Sequence, residues 1–128
     1  MPTKKTVYPS SHPGLPLSPL TRLGDTLYTA GQVGVDPETR VVPDGVRAQT
    51  RQVLLNLRGV LAMAGADLSD VVKTTVFLTD MADFAEFNEA YREFFPVDPP
   101  SRSTVGVAAL ARPELIVEIE AIAVVPEV

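Results

Sequence analysis

The chain contains no cysteine, which excludes disulfides, thiol nucleophiles and cysteine-ligated metals. It has a single histidine, His12, so neither a multi-histidine metal site nor a serine–histidine couple can be built within one subunit. His12 sits among prolines and serines near the N-terminus, where a solvated residue is expected. Positive charge is scarce: 11 Lys and Arg stand against 16 Asp and Glu, giving a net charge of −5. No basic cluster is longer than Lys4-Lys5, so a phosphate-backbone partner, which needs a basic patch, is not expected. No apolar run approaches the ~20 residues of a membrane span, and the N-terminus lacks the apolar segment of a signal peptide. Nucleic acid and membrane are therefore not expected as partners, and the cytoplasm is the expected location.

What remains is an ordinary globular composition, 45% hydrophobic and 21% charged over 128 residues. That length suits one domain, which buries roughly two-thirds of its unfolded surface without staples. Residues 1–16 carry prolines at 2, 9, 13 and 16 and read as an irregular lead-in to a single domain spanning 1–128. Leu17 to Leu23 is expected as a strand, Gly24-Asp25 as a two-residue turn, and Thr26 to Val33 as the returning strand. Asp36-Pro37-Glu38-Thr39 is a second turn, because proline presets φ and Asp bonds the backbone ahead. Asp44 is expected to cap a helix in which Val46, Thr50, Val53, Leu54, Leu57, Leu61 and Ala64 recur at helical spacing before Gly65 ends it.

Val71 to Leu78 is β-branched and strand-like. Asp80 opens a second helix with an apolar stripe of Phe84, Phe87, Tyr91 and Phe94/Phe95. Pro96–Pro100 stops it, and two closing strands follow on either side of Ala111-Arg112-Pro113-Glu114. The order is β-β-α-β-α-β-β: an α+β fold with one mixed sheet, a right-handed parallel crossover around the second helix, and both helices on one face. The strands are apolar on both faces, with Leu27 and Thr29 opposing Tyr28 and Ala30, and Val72, Val76 and Leu78 opposing Val71 and Phe77. Two helices cannot cover both. The far face is expected to pack against further copies of the chain, with sites between them.

The last two strands carry the chemistry. In Val117-Glu118-Ile119-Glu120-Ala121-Ile122-Ala123 the two carboxylates alternate onto one face. Burial beside a like charge would raise one of them toward neutrality and suit it to acid/base work; a solvent-facing edge would leave both as surface charge. Arg102, in Pro100-Ser101-Arg102-Ser103-Thr104-Val105, opens an apolar strand. Its fork can grip a ligand carboxylate or a structural partner, Glu118 or Glu120. Asn88 falls in the apolar stripe of the second helix, so its amide is expected to reach a partner, either a ligand or a neighbouring loop. Gly31-Gln32-Val33-Gly34 offers backbone N–H groups without matching any phosphate or dinucleotide fingerprint.

Together these segments resemble the RidA family, the reactive-intermediate deaminases also called YjgF or L-PSP proteins. The resemblance runs from Pro16 to Val125. It is carried by Gly24 with Tyr28-Thr29-Ala30-Gly31-Gln32, by Val72-Lys73-Thr74-Thr75-Val76-Phe77-Leu78, by Asn88-Glu89-Ala90-Tyr91, and above all by the Arg102 and Glu118 segments. It implies a chorismate-mutase-like subunit and a homotrimer whose sheets form a central barrel with three intersubunit clefts. It also implies hydrolysis of 2-imino acids and their enamine tautomers to 2-oxo acids and ammonia, an activity of the 2-iminobutanoate/2-iminopropanoate deaminase kind. By that resemblance Arg102 holds the substrate carboxylate, Glu118 orients the attacking water, and Thr104, Gly31, Ala30, Asn88 and Leu17 line the cleft. No metal or organic cofactor is implied, because a protonated imine is already electrophilic. The chain departs from the deaminase pattern at Leu17, where those members carry tyrosine, and at Ala30, where they usually carry serine. Those two losses keep open an alternative, a non-catalytic or regulatory binder of small carboxylates. A ribonuclease activity, ascribed to some relatives, fits the acidic charge balance least.

Overall fold

The computed structural model describes residues 4–12 and 14–126. Its elements are β1 (Thr6–Val7), β2 (Leu20–Leu23), β3 (Thr26–Thr29), β4 (Gln32–Val33), α1 (Val46–Ala62), β5 (Val71–Leu78), α2 (Phe84–Phe94), β6 (Ser101–Gly106) and β7 (Val117–Val124), with 3₁₀ turns at Leu68–Asp70 and Met81–Asp83. One mixed sheet runs β1-β2-β3-β7-β5-β6, and β4 pairs with β7 alongside β3. β5 and β6, joined through α2, are parallel; every other pair is antiparallel. The expected α+β order and the parallel crossover are therefore present. The lead-in is not wholly irregular, since Thr6–Val7 adds a short edge strand.

The local chemistry of each element accounts for its limits. Leu23 pairs directly with Thr26 across Gly24-Asp25, and Gly24 has φ of 61°, a turn conformation that glycine adopts without strain. Helix α1 starts one residue later than expected. Gly45, with φ of 87°, occupies the N-cap, and no side chain, Asp44 included, caps it. Gly65, at φ of 72°, follows the helix, and Ala66 N–H reaches back to Leu61 O. Asp80 does cap the turn that opens into α2, accepting from Ala82 N–H.

Two bulges correct the expected strand faces. Tyr28 pairs with Ile122 and Gln32 with Ile119, four residue steps against three, so the strand expected over Thr26 to Val33 carries one extra residue at its middle and divides into β3 and β4. Thr29 Oγ1 accepts from Ala121 N–H at 3.0 Å and replaces the ladder bond lost there. On β5, Val71 pairs with Ala123 and Lys73 with Ile122. Val72 is thereby pushed out of phase: Val71 is buried and Val72 exposed, the reverse of a strict alternation from Val76 and Leu78.

One face of the sheet, with Leu20, Leu27, Val76, Leu78, Val117, Ile119, Ala121 and Ala123, packs on Val53, Leu54, Leu57 and Leu61 of α1 and Phe87 and Tyr91 of α2. The helices are cross-linked outside by Arg47 with Glu86 and Glu89 and by Arg51 with Glu93. These are exposed pairs, each worth at most about 1 kcal/mol. The other sheet face carries Tyr28, Val105 and Val124 in the open, with Phe77 and Ile122 half-buried. No helix among the described residues is long and apolar enough to cross a membrane.

Leu57 is fully buried and Leu55, two residues away, is 47% exposed. Leu57→Ala is expected to cost about 2–5 kcal/mol, cavity included, and Leu55→Ala to stay within about 0.5 kcal/mol. Urea denaturation of the two variants checks this.

Candidate functional site

Arg102 lies on edge strand β6, and Glu118 on β7, with β5 between them. The register places Ala121, Thr74 and Arg102 in one row and Glu118, Phe77 and Val105 in another. Ala121 and Thr74 are buried under the helices, whereas Glu118 alternates with buried Val117 and Ile119 and so faces the other way. Arg102 and the two carboxylates are thus on opposite faces of the sheet. The structural ion pair between Arg102 and Glu118 or Glu120 does not form, and the two functional groups do not meet within one subunit.

On the helix side, the Arg102 guanidinium packs against three rings of α2: Cζ lies 4.8 Å from the Tyr91 centroid, 5.3 Å from Phe87 and 5.6 Å from Phe84. Stacking on ring faces holds a planar cation without consuming its N–H donors. The wall is itself braced. Tyr91 stacks between Phe87 and Phe95, and its Oη is 2.7 Å from Thr74 Oγ1, in the residue paired with Arg102. Burial pushes the Tyr91 phenol above its ordinary range, opposed by the Thr74 bond and the nearby Arg102 charge, so the ring stays neutral. No carboxylate among the described residues comes within ion-pair distance of Arg102.

Two further polar atoms lie on this side. Thr104 Oγ1, on the same face of β6 as Arg102, and Asn88 Oδ1, one turn beyond Phe84 on α2, are buried without a hydrogen-bond partner. The expected partner for Asn88 is not supplied by the fold. A buried unpaired oxygen costs free energy until something bonds to it, and these two lie on the same side of the sheet as an unpaired cation.

On the opposite face Glu118 is half-buried, and Gly31 lies directly against it. A Cβ added at Gly31 would come 2.8 Å from the Glu118 carboxyl carbon. A side chain there would push the carboxyl aside, and the close approach follows from the bulge between β3 and β4. Burial, and secondarily the charge of Glu120, raise the Glu118 carboxyl above the usual carboxylate range. Glu120 itself is exposed. Ala30, beside Gly31, donates its N–H to Pro19 O at 2.9 Å, which ties the bulge to the residue that precedes β2. Leu17, two residues before Pro19, is 51% exposed.

The candidate residues therefore fall into two sets. Arg102, Thr104 and Asn88 form one at the β6–α2 edge; Glu118, Gly31 and Ala30 form the other around the bulge, and Leu17 is joined to neither by a contact. The aromatic wall of Phe84, Phe87 and Tyr91 belongs to the first set. Its stripe is visible in the sequence, but nothing local tells that it faces Arg102. Two concavities of about 360 and 450 Å³ lie elsewhere, at the C-terminal end of α2 and beside β1, and hold none of these residues. Among the described residues no cluster of His, Asp or Glu side chains is arranged to hold a metal ion.

The family model described as Endoribonuclease L-PSP matches residues 10–125. The chain is 47% identical over 110 residues to the mouse protein named 2-iminobutanoate/2-iminopropanoate deaminase, an alignment covering 85% of this chain and 81% of the mouse one. It is 45% identical over 109 residues to a RutC family protein of Pyrococcus horikoshii, covering 84% and 86% of the two chains. The solved structure of E. coli TdcF with bound serine superposes with a TM-score of 0.81 at 41% identity, over 85% of this chain and 87% of TdcF. Agreement in sequence and fold over nearly the whole length makes this chain a member of the RidA/YjgF/L-PSP family.

Proposed function

We propose that the protein hydrolyses 2-imino acids and their enamine tautomers to 2-oxo acids and ammonia, in clefts shared between neighbouring subunits of a homotrimer. One observation carries this reading: an unpaired, ring-stacked guanidinium and a carboxyl of raised proton affinity occupy opposite faces of the sheet. The two can serve one substrate only if Arg102 of one copy approaches Glu118 of the next. The exposed Tyr28, Val105 and Val124 on the Glu118 face supply an apolar surface for that contact, and a closed ring of three buries it without open-ended growth. The deaminase name of the mouse relative and the serine bound to TdcF support a small ligand bearing a carboxylate.

In this cleft the Arg102 fork receives the substrate carboxylate, and Thr104 Oγ1 adds a donor. Asn88 Oδ1 accepts from the substrate nitrogen. Glu118 accepts a proton from water as its oxygen bonds to the imine carbon and the C=N pair moves to nitrogen. Glu118 returns that proton to the carbinolamine nitrogen, and as the C–N bond breaks and the oxygen pair closes to C=O, the hydroxyl proton passes to Glu118 and on to the departing ammonia. A carboxyl raised toward neutrality is suited to these transfers, and anchoring the anion turns a collision into a fixed approach. Leu17 and Ala30, which bear no hydroxyl, favour a second reading, a binder of small carboxylates. It holds if 2-oxo acids bind at Arg102 while 2-iminobutanoate, generated by a dehydratase, is hydrolysed no faster with the protein than without it.

Arg102→Ala is expected to weaken 2-oxobutanoate binding by roughly tenfold to a hundredfold, the value of a charge-assisted hydrogen-bond pair. Arg102→Lys is expected to fall between, since it loses the fork and the stacking. Calorimetry on both variants checks this, and unchanged affinity in Arg102→Ala removes Arg102 from the site.

Arg102→Ala and Glu118→Gln chains are each expected to be inactive alone. Refolded together in equal amounts, they should recover activity, because about a quarter of clefts in randomly mixed trimers draw both intact residues from different chains. The ammonia-release rate of the mixture measures it, and light scattering gives the oligomer. A mixture as inactive as its components rejects the shared cleft.

The raised Glu118 carboxyl also fixes a pH dependence. Its folded-state proton affinity exceeds the unfolded one, so the unfolded chain ionises first as pH rises, and stability falls through that window. In an Arg102→Ala background, which removes the guanidinium that the next copy brings to Glu118, Glu118→Gln is therefore expected to be more stable than its parent at neutral pH, with the gain shrinking toward about pH 4, where protonation spreads to both states. Denaturation midpoints across that range test the sign.

A further inference from the structure

Two amide side chains of α1 grip the backbone around Glu118 from the helix side, and a third orients one of them. Asn56 Nδ2 donates to both Val33 O and Val35 O at 2.9 Å, bracketing Gly34. Its Oδ1 accepts from Gln52 Nε2 at 2.8 Å, which holds the amide in the donating orientation. Two turns earlier, buried Gln49 accepts from Ile116 N–H at 3.0 Å and donates to Glu114 O at 2.8 Å and Pro43 O at 3.1 Å. Gly34 is seated on it, since an added Cβ would lie 3.1 Å from Gln49 Cβ and 3.2 Å from its Cα. Val33 is the register partner of Glu118, and Ile116 lies two residues before it.

β4 and β7 share only two residue pairs, a ladder too short to hold itself. We propose that Asn56 and Gln49 are positioning residues for Glu118: through their bonds to β4 and to the segment that leads into β7 they keep the bulge, and Gly31 with it, pressed against the carboxyl. This rests on the reading of Glu118 as the proton-transferring group. If β4 drifts outward, Gly31 withdraws, water reaches the carboxyl, and the burial that raises its proton affinity is lost. The charges that face Glu118 are Glu120 on β7, Lys73 on β5, two rows away and bonded to Ser103, and, in the shared cleft, Arg102 of the next copy, held by its own β6 and α2. β6 contributes Ser101, Ser103 and Val105 to that face, and β4 contributes Val33. None of these is changed by altering α1, so a shift at Glu118 reports geometry.

Asn56→Leu keeps most of the side-chain bulk and removes both donors; Gln52→Leu leaves Asn56 in place but frees its amide to turn. The side-chain carboxyl of Glu118 is titrated by NMR in the substrate-free protein, alongside kcat on 2-iminobutanoate and the Kd of 2-oxobutanoate. In both variants the Glu118 midpoint is expected to drop toward the ordinary carboxylate range, further in Asn56→Leu. In that variant kcat should fall roughly tenfold to a hundredfold, the scale of an ångström misplacement. The Kd should stay as it was, because Arg102 is held by β6 and α2. An unmoved midpoint in folded Asn56→Leu overturns the proposal, as does a Kd that weakens in step with kcat. If Asn56→Leu does not fold, Gln52→Leu decides by the same midpoint. The titration needs no turnover, so a protein that hydrolyses no imine rejects the deaminase reading and leaves the positioning to be judged by NMR alone.

Discussion

Strand β7 is the member on which the sheet and the site both depend. One of its edges is taken by β5 over its length, the other by β3 and then β4, and its inward side chains, Val117, Ile119, Ala121 and Ala123, are all buried. The backbone that carries Glu118 is thereby fixed with the core. That rigidity is useful for a group that must meet a water molecule at a set distance, and it has a cost, since half-burying a carboxyl disfavours its ionised form. The bulge at Ala30-Gly31 makes the arrangement possible. It re-aims the partner strand so that a glycine, and not a side chain, lies over the carboxyl.

Much of this was legible in the sequence. Hydrophobic period and turn chemistry identify the hairpin at Gly24-Asp25, both helices, the strand Val71 to Leu78 and the closing strand, because each of these signals is local. The two strand misreadings share a cause. A bulge adds one residue without a signature of its own, so Val72 and the strand from Thr26 to Val33 were assigned by strict alternation and came out of phase. The cap position fell to Gly45, whose φ of 87° suits glycine, and Asp44, one residue too early, makes no cap bond.

The site was legible in its residues more than in its arrangement. Arg102 and Glu118 stand out as charges in apolar strands, but their separation onto opposite faces follows from β5 lying between β6 and β7, a non-local fact. The same limit hides the meeting of Arg102 with Phe84, Phe87 and Tyr91, which depends on α2 returning over the strand that follows it. Gln49 and Asn56 were hidden differently. Amides on a helix are usually surface residues, and only the placement of Val33, Val35 and Ile116 beside α1 turns them into clamps.

The stacking of Arg102 on three rings has a thermodynamic consequence for any anion that binds there. A free arginine side chain samples many rotamers, and freezing it on contact with a ligand costs on the order of 0.5–1.5 kcal/mol. Here folding has already restricted those rotamers, with the N–H edges of the guanidinium left available. The ordering entropy is charged to the core, where Tyr91 and Phe87 are buried in any case, and not to the binding step. A small ligand with few atoms to contribute can then be retained by an arginine that would hold it poorly if it were mobile.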